Sequence, residues 1–129
     1  MNPFEASSDG AKYELSPPEP DEGVMIVSRT GRVVHASPRI AEILGGTQQE
    51  LYGDEVMPLV PPVLRPKIRS ILKSERVVEP WQHEAIKRDG SRVSVITRSI
   101  PAEVAGRYVR MVFMKRAKVQ PKIQEREAQ

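Results

Sequence analysis

The order of apolar and polar positions predicts two strands near the beginning of the chain. Val24–Val27 is an apolar run, and Val33–Ala36 is a second one that follows after a short polar interval. The interval contains Thr30-Gly31, and glycine tolerates the positive φ that a tight turn between antiparallel strands needs. We therefore expect a strand, a tight turn and a return strand.

A short helix is expected directly after the return strand. Ser37 can cap the unpaired N–H groups of a helix, and Pro38 suits the first helical position. Three apolar residues spaced three and four apart would then share one buried face: Ile40, Ile43 and Leu44. The glycine pair Gly45-Gly46 ends this helix.

A second short helix is predicted beyond the glycine pair, because Thr47 and Glu50 have the spacing of a capping box. A longer helix is expected between Pro58 and Glu79, with Pro66 in its first turn. Its apolar face is formed by Leu64, Ile68, Ile71 and Leu72. Arginine and lysine occupy another face, which is typical of a solvated helix surface, although an acidic partner is an alternative.

Three further strands complete the pattern. They are expected at about Trp81–Lys87, Arg92–Ile100 and Arg107–Met114, joined by Asp89-Gly90 and by the segment Pro101–Gly106. Together with the first two strands they predict a five-stranded antiparallel sheet with helices on one face, an α+β fold.

The combination of a glycine turn, a capped helix, Leu51-Tyr52-Gly53 and a Lys87-Arg88-Asp89-Gly90 hairpin resembles the PAS domain family. The resemblance covers residues 21–116, with 1–20 expected as a flexible segment or cap and 117–129 as a tail or lead-out helix. It implies a PAS-like sensory and dimerisation module of signalling proteins. Such a module would act through dimer contacts or a small ligand in its core, and on a downstream signalling protein or output domain.

The strands are apolar on both of their alternating faces, so both faces of the sheet need cover. Helices would cover one face. The N-terminal segment, a second copy of the chain or another protein would cover the other, and this favours a homodimer. The candidate interface residues are Met25, Val27, Val109, Met111 and Phe113.

The composition of the chain excludes some classes of function and disfavours others. The 129-residue chain has no cysteine, which excludes disulfides and thiolate metal sites. Its net charge is +3, with few aromatic residues, so nucleic-acid binding is disfavoured. No apolar run is long enough to cross a bilayer, and no export signal is evident, which favours a cytoplasmic protein. No nucleophile elbow, metal-ligand spacing or phosphate loop is present, so no catalysis is expected.

The resemblance implies that the core holds flavin, haem, a small metabolite or nothing. Cysteinyl-flavin photochemistry is excluded because the chain has no cysteine. Haem is disfavoured because no histidine lies in Arg65–Ser74, where the haem-binding members carry theirs. The candidate cofactor-binding residues are His35, Trp81 and His83, which are alternatively structural or surface side chains, with Trp81 a core or interface anchor.

Overall fold

Five antiparallel strands form one sheet in the computed structural model, which describes residues 18–118. The elements in chain order are β1 (Gly23–Ser28), β2 (Val33–Ala36), α1 (Pro38–Leu44), α2 (Gln48–Leu51), α3 (Arg65–Lys73), β3 (Val78–Ile86), β4 (Arg92–Val104) and β5 (Arg107–Arg116). The strand order is β2-β1-β5-β4-β3. The predicted α+β architecture is confirmed. The parts of the expected N-terminal segment and C-terminal tail at 1–17 and 119–129 lie outside the described residues.

The two faces of the sheet have different surroundings. The helix-side face packs against α1, α2 and α3, and its buried residues include Met25, Val27, Ala85, Val95 and Met114. The outer face is the opposite one, because successive side chains alternate between the faces of a strand. It carries a separate cluster of buried and half-buried side chains, which we call the outer-face cluster: Val24, Ile26, Ile100, Ala102, Met111 and Phe113.

The first helix begins as expected, but Ser37 plays a different part from the predicted one. Its hydroxyl makes no capping hydrogen bond to α1. It instead accepts the backbone N–H of Val24 at 3.0 Å, while the backbone N–H of Ser37 donates to the Val24 carbonyl at 2.9 Å. The expectation of a side-chain cap is therefore wrong. The hydroxyl is used to join the start of α1 to β1.

The second helix has the predicted capping box. Thr47 Oγ1 accepts the Glu50 backbone N–H at 3.1 Å, and Glu50 Oε1 accepts the Thr47 N–H at 2.9 Å. The glycine pair before it has positive φ at both residues, and a Cβ on Gly46 would lie 2.7 Å from the Cδ atom of Arg88. Glycine is favoured at both positions because a φ of 89° is strained for any residue with a side chain, and at Gly46 the Arg88 side chain would also have to move aside.

Two boundaries differ from the sequence prediction. The long helix begins only at Arg65, because the prolines before it form two short 3-10 turns, Met57–Leu59 and Pro62–Leu64. Strand β4 continues through Pro101 to Val104, where a loop was expected. Strand β3 pairs with β4 only as far as Ser99, so Pro101 lies beside an open edge where a proline is tolerated. Within residues 18–118 no helix has the length and apolar character required to traverse a bilayer.

Candidate functional site

A small cavity lies between the helix-side face of the sheet and the helices. Its volume is about 80 Å³. Its walls come from four strands, from α1 and α3, and from the segment between α2 and α3: Met25, Val27, Leu44, Val56, Leu59, Val60, Ile68, Leu72, His83, Glu84, Ala85, Thr97, Val112 and Met114. Most of these side chains are apolar, and the polar exceptions lie on β3 and β4.

The size of the cavity limits what can bind. Small-molecule sites in proteins commonly have volumes of roughly 300–1,000 Å³, several times the 80 Å³ found here. A flavin or a haem therefore does not fit between these side chains as they are arranged. The described residues also contain no cluster of three or more histidine, aspartate or glutamate side chains suited to a metal ion. The chemistry that this site favours is the binding of a small, largely apolar molecule.

His83 and Thr97 supply the polar feature of the cavity. Thr97 lies diagonally across the β3–β4 pair from His83, opposite Trp81, and its Oγ1 atom is 2.8 Å from Nε2 of the imidazole. The other ring nitrogen, Nδ1, is 2.9 Å from the Glu84 carbonyl. A carbonyl can only accept, so Nδ1 carries the proton and the neutral Nε2 accepts from the Thr97 hydroxyl. The Thr97 oxygen keeps lone pairs with which it can accept a hydrogen bond from a bound molecule.

The environment of His83 favours the neutral imidazole. Burial lowers the pKa of His83, because it disfavours the charged ring, and the nearby Lys67 ammonium lowers it further. The hydrogen bond to the Glu84 carbonyl acts in the opposite direction but does not outweigh burial. The cavity therefore presents an uncharged imidazole at neutral pH.

Trp81 lies beside His83 but does not line the cavity. The two ring centroids are 4.2 Å apart, and the Lys67 ammonium lies 4.2 Å from the centroid of the indole. The Trp81 side chain thus joins β3 to α3 through a cation–π contact. Its position supports the rim of the site rather than stacking on a molecule inside it.

His35 is separated from the other two candidate residues. It is exposed on β2, where its ring stacks on that of Tyr52 with centroids 6.1 Å apart. Strands β2 and β3 are the two edges of the sheet, and four strand spacings amount to about 19 Å. His35 therefore cannot contribute to the same site as His83. The three candidate cofactor-binding residues, His35, Trp81 and His83, do not form one site.

The five residues expected at an interface are divided between the two faces. Met25 and Val27 are buried on the helix-side face and line the cavity. Val109, Met111 and Phe113 lie on the outer face. No single surface of the folded chain contains all five, so any contact with a partner through the outer face involves only the β5 members of this set.

Acidification is expected to destabilise the protein through His83. Because the pKa of this group is lower in the folded chain than in the unfolded one, the unfolded state binds more protons as the pH falls below about 6.5. The neutral His83 side chain therefore contributes to the free energy of unfolding above that pH, and this contribution is lost as the pH falls below it. Melting temperatures measured between about pH 5.5 and 7.5 should fall less steeply in His83→Gln than in the wild type. Equal slopes for wild type and His83→Gln would contradict the assignment.

Comparison with known proteins identifies the fold. A family model described as the PAS fold matches residues 21–116 of the chain. The chain belongs to the PAS-fold family. The recognition made from the hairpin and capping motifs is confirmed.

Several solved structures with the same fold have less than 20% sequence identity with this PAS domain. The PAS domain of an HTR-like protein from Haloarcula marismortui has a TM-score of 0.62 at 19% identity, covering 87% of this chain and 91% of that one. A PAS domain from Desulfitobacterium hafniense has a TM-score of 0.62 at 17% identity, covering 75% and 93%. A fungal LOV domain photoreceptor has a TM-score of 0.65 at 14% identity, covering 81% of each chain. No curated protein matches the sequence.

Sequence reasoning found part of this site. Of the three candidate residues named from the sequence, His83 lines the cavity, whereas Trp81 and His35 do not. Sequence reasoning missed the walls contributed by Val56, Leu59 and Val60, which lie in an irregular segment without periodicity. The proline-rich composition of that segment indicated only an extended chain, and no signal in it indicated a cavity wall.

Proposed function

We propose that this PAS domain is a sensory and protein-interaction module in signal transduction that has no catalytic activity and responds to a small apolar molecule in the cavity. The observation that carries the proposal is the cavity itself, with its apolar walls and the polar pair His83–Thr97. The photoreceptor among the similar structures senses light, but this chain lacks cysteine. The cavity volume also favours a small molecule over a flavin or haem sensor.

The chemistry of the cavity walls indicates which kind of molecule would bind there. It is small and mainly hydrocarbon, because transfer of apolar surface from water into such a cavity is favourable. One hydrogen-bond donor on it would find an acceptor in the Thr97 oxygen. A charged group is disfavoured, because its desolvation among these walls is not compensated.

A bound molecule would act by favouring one arrangement of α3 on the sheet. Ile68 and Leu72 of α3 line the cavity together with Val112 and Met114 of β5. A ligand that fits one spacing of these walls better than another shifts the population toward that spacing. Strand β5 also carries Met111 and Phe113 on the outer face, so the same strand connects the cavity to a surface for partners.

We further propose that the outer face is the contact surface of the module. A second copy of the chain is the first candidate partner, and a downstream signalling protein is the other. Val109, Met111 and Phe113 are themselves buried, so a partner would pack against the half-buried side chains around them: Val24, Ile26 and Ala102. The support is the apolar character of the outer-face cluster, which sensing in the cavity does not require.

Binding of benzene followed by NMR tests the cavity proposal. Benzene is expected to shift the methyl signals of Met25 and Leu72 in the wild type, because dry apolar cavities accept such probes. Ala85→Leu fills the cavity from β3 and should abolish the shifts. Ala102→Leu adds the same volume on the outer face and should leave them unchanged. The proposal fails if benzene shifts no cavity methyl signal, or if it shifts them equally in Ala85→Leu. Visible absorption by the purified protein would favour the flavin or haem alternative instead.

A further inference from the structure

Positive charge is concentrated on α3 and on the residues that follow it. Residues 65–76 contain five basic side chains and one acidic one, a net charge of +4, whereas the whole chain has a net charge of +3. The surplus of positive charge thus belongs to one short region of the fold. Its basic side chains are exposed or half-buried: Arg65, Lys67, Arg69, Lys73 and Arg76.

These five cations are not neutralised by neighbouring carboxylates. Exposed arginines elsewhere in the fold form ion pairs, as Arg32 does with Glu55 and Arg39 does with Glu42. Within residues 18–118, none of the five basic side chains of the α3 region forms an ion pair with a carboxylate. A basic surface without local counter-charges attracts an anionic partner and favours it over a basic one.

A groove of about 310 Å³ lies between α3 and the beginning of β3, and we call it the α3–β3 groove. Its apolar lining includes Ile71, Val77 and Trp81, and its cations are Lys67 and Arg76. Apolar surface with cations beside it is complementary to a large apolar side chain that has carboxylates on either side. The groove therefore selects for both the apolar character and the charge of what it binds.

Hydrogen bonds hold one side of the groove in place. Arg110 donates from NH2 to the carbonyls of Ser74 and Arg76 at 3.1 and 2.9 Å. The Ser74 hydroxyl donates to the Ile71 carbonyl at 3.0 Å and accepts the Arg76 N–H at 3.3 Å. A surface that is ordered before binding loses less conformational entropy when a partner binds.

The edge of the sheet beside the groove does not favour the addition of a regular strand. Strand β3 is an edge strand, but its pairing with β4 is irregular between Val78 and Trp81. Pro80 lies in this irregular part and has no N–H to donate to an added strand. Recognition at this place therefore relies on side chains rather than on backbone hydrogen bonds.

The groove suits a protein segment better than a nucleic acid or a lipid surface. Glu79 also lines it and would repel phosphate groups. Trp81 alone is aromatic among the described residues that line it, whereas single-stranded nucleic acids stack on several aromatic side chains. Ile68 and Leu72 of α3 pack in the core, so the helix does not offer an apolar face to lipid.

We propose that the α3–β3 groove binds an acidic segment of a partner protein. In this contact a large apolar side chain of the segment lies against Trp81, and carboxylates beside it pair with Lys67 and Arg76. The groove shares no lining residue with the cavity or with the outer-face cluster. Benzene binding and contacts through the outer face can therefore fail without affecting this contact, and it can fail without affecting them.

Tryptophan fluorescence of the full chain tests the proposal, because Trp81 is the only tryptophan in the sequence. The probe is a synthetic peptide without tryptophan, in which a leucine–phenylalanine pair is flanked on both sides by glutamates. It should change the Trp81 emission in a saturable way. The same peptide with glutamines in place of the glutamates should bind roughly tenfold more weakly. An unchanged emission, or equal binding of the two peptides, would overturn the proposal.

Two charge reversals on the same helix locate the contact. Lys67→Glu places a carboxylate in the groove and should weaken binding of the acidic peptide roughly tenfold. Arg69→Glu changes the net charge equally but does not line the groove. Its effect should be less than about twofold at physiological ionic strength, where charges farther apart than about 8 Å are largely screened. Equal losses in the two variants would mean that the peptide responds only to the overall charge of α3, and the proposal would fail.

The same titrations distinguish the other occupants of the groove. Oligothymidylate that quenches Trp81 and binds more tightly than the acidic peptide would assign the groove to a nucleic acid. Self-association that the acidic peptide reverses and Lys67→Glu abolishes would assign it to a second copy of the chain. Either result would overturn the proposal, whereas a monomer that prefers the peptide to the oligonucleotide supports it.

Discussion

Replacement of Phe113 by lysine is expected to abolish folding at room temperature. The ring is fully buried on the outer face, with the Arg98 guanidinium 4.2 Å from its centroid. Loss of the aromatic side chain alone typically costs about 3–5 kcal/mol. The lysine additionally places a second cation beside Arg98 in a poorly solvated position. The loss of the ring and the burial of a second cation together are comparable with the whole free energy of unfolding of a typical domain, about 5–15 kcal/mol.

Urea denaturation followed by circular dichroism measures this effect. Val34→Lys is the matched control, because Val34 is 51% exposed on the edge strand β2, and its substitution should change the free energy of unfolding by less than about 0.5 kcal/mol. Phe113→Leu provides a folded variant, with an expected loss of about 1 kcal/mol. If Phe113→Lys has the wild-type midpoint, the outer-face cluster is not buried in solution.

Most of the fold could be predicted because its signals are local. The capping box at Thr47 and Glu50 forms between neighbouring residues, so spacing alone identifies it. The turn at Asp89-Gly90 is equally local, with the Asp89 carboxylate accepting the Ser91 N–H at 2.9 Å. Ser37 is the exception. Its hydroxyl had a choice between the helix that follows it and a strand thirteen residues earlier, and only the folded chain decides between them.

The site was harder to predict because it depends on pairing between distant strands. Alternation separates the two faces of each strand but does not say which face meets the helices. Strand β5 lies between β1 and β4, and Val24 lies opposite Phe113. Even positions of β1 therefore share a face with odd positions of β5. Grouping Met25 with Met111 from sequence combined opposite faces for this reason, and His35 was separated from His83 by the same strand order.

A second large loss of stability is expected when Arg110 is replaced by methionine. The side chain is 2% exposed and lies at a position of β5 that alternation places on the helix-side face. It donates to the Ser99 hydroxyl at 3.0 Å, to the Ser74 carbonyl at 3.1 Å and to the Arg76 carbonyl at 2.9 Å. These bonds hold the chain after α3 against the sheet. Hydrogen bonds from a charged donor contribute about 1.5–3 kcal/mol each at most, so we expect a net loss of about 3 kcal/mol.

The loss of stability in Arg110→Met should be accompanied by a local change in hydrogen exchange, which a general defect in packing would not produce. Amide hydrogen exchange should accelerate first in α3 and in the segment that links it to β3, because Arg110 fastens that segment. Arg107→Met, on an exposed position of the same strand, should leave exchange unchanged. Arg110→Lys should be intermediate, because an ammonium cannot reproduce the planar fork of the guanidinium.

Since Ile68 and Leu72 of α3 form one wall of the cavity, a loosened α3 should also weaken benzene binding. If Arg110→Met keeps wild-type stability and benzene affinity, the desolvation of this buried cation cancels its hydrogen bonds and the sheet holds α3 by apolar packing alone.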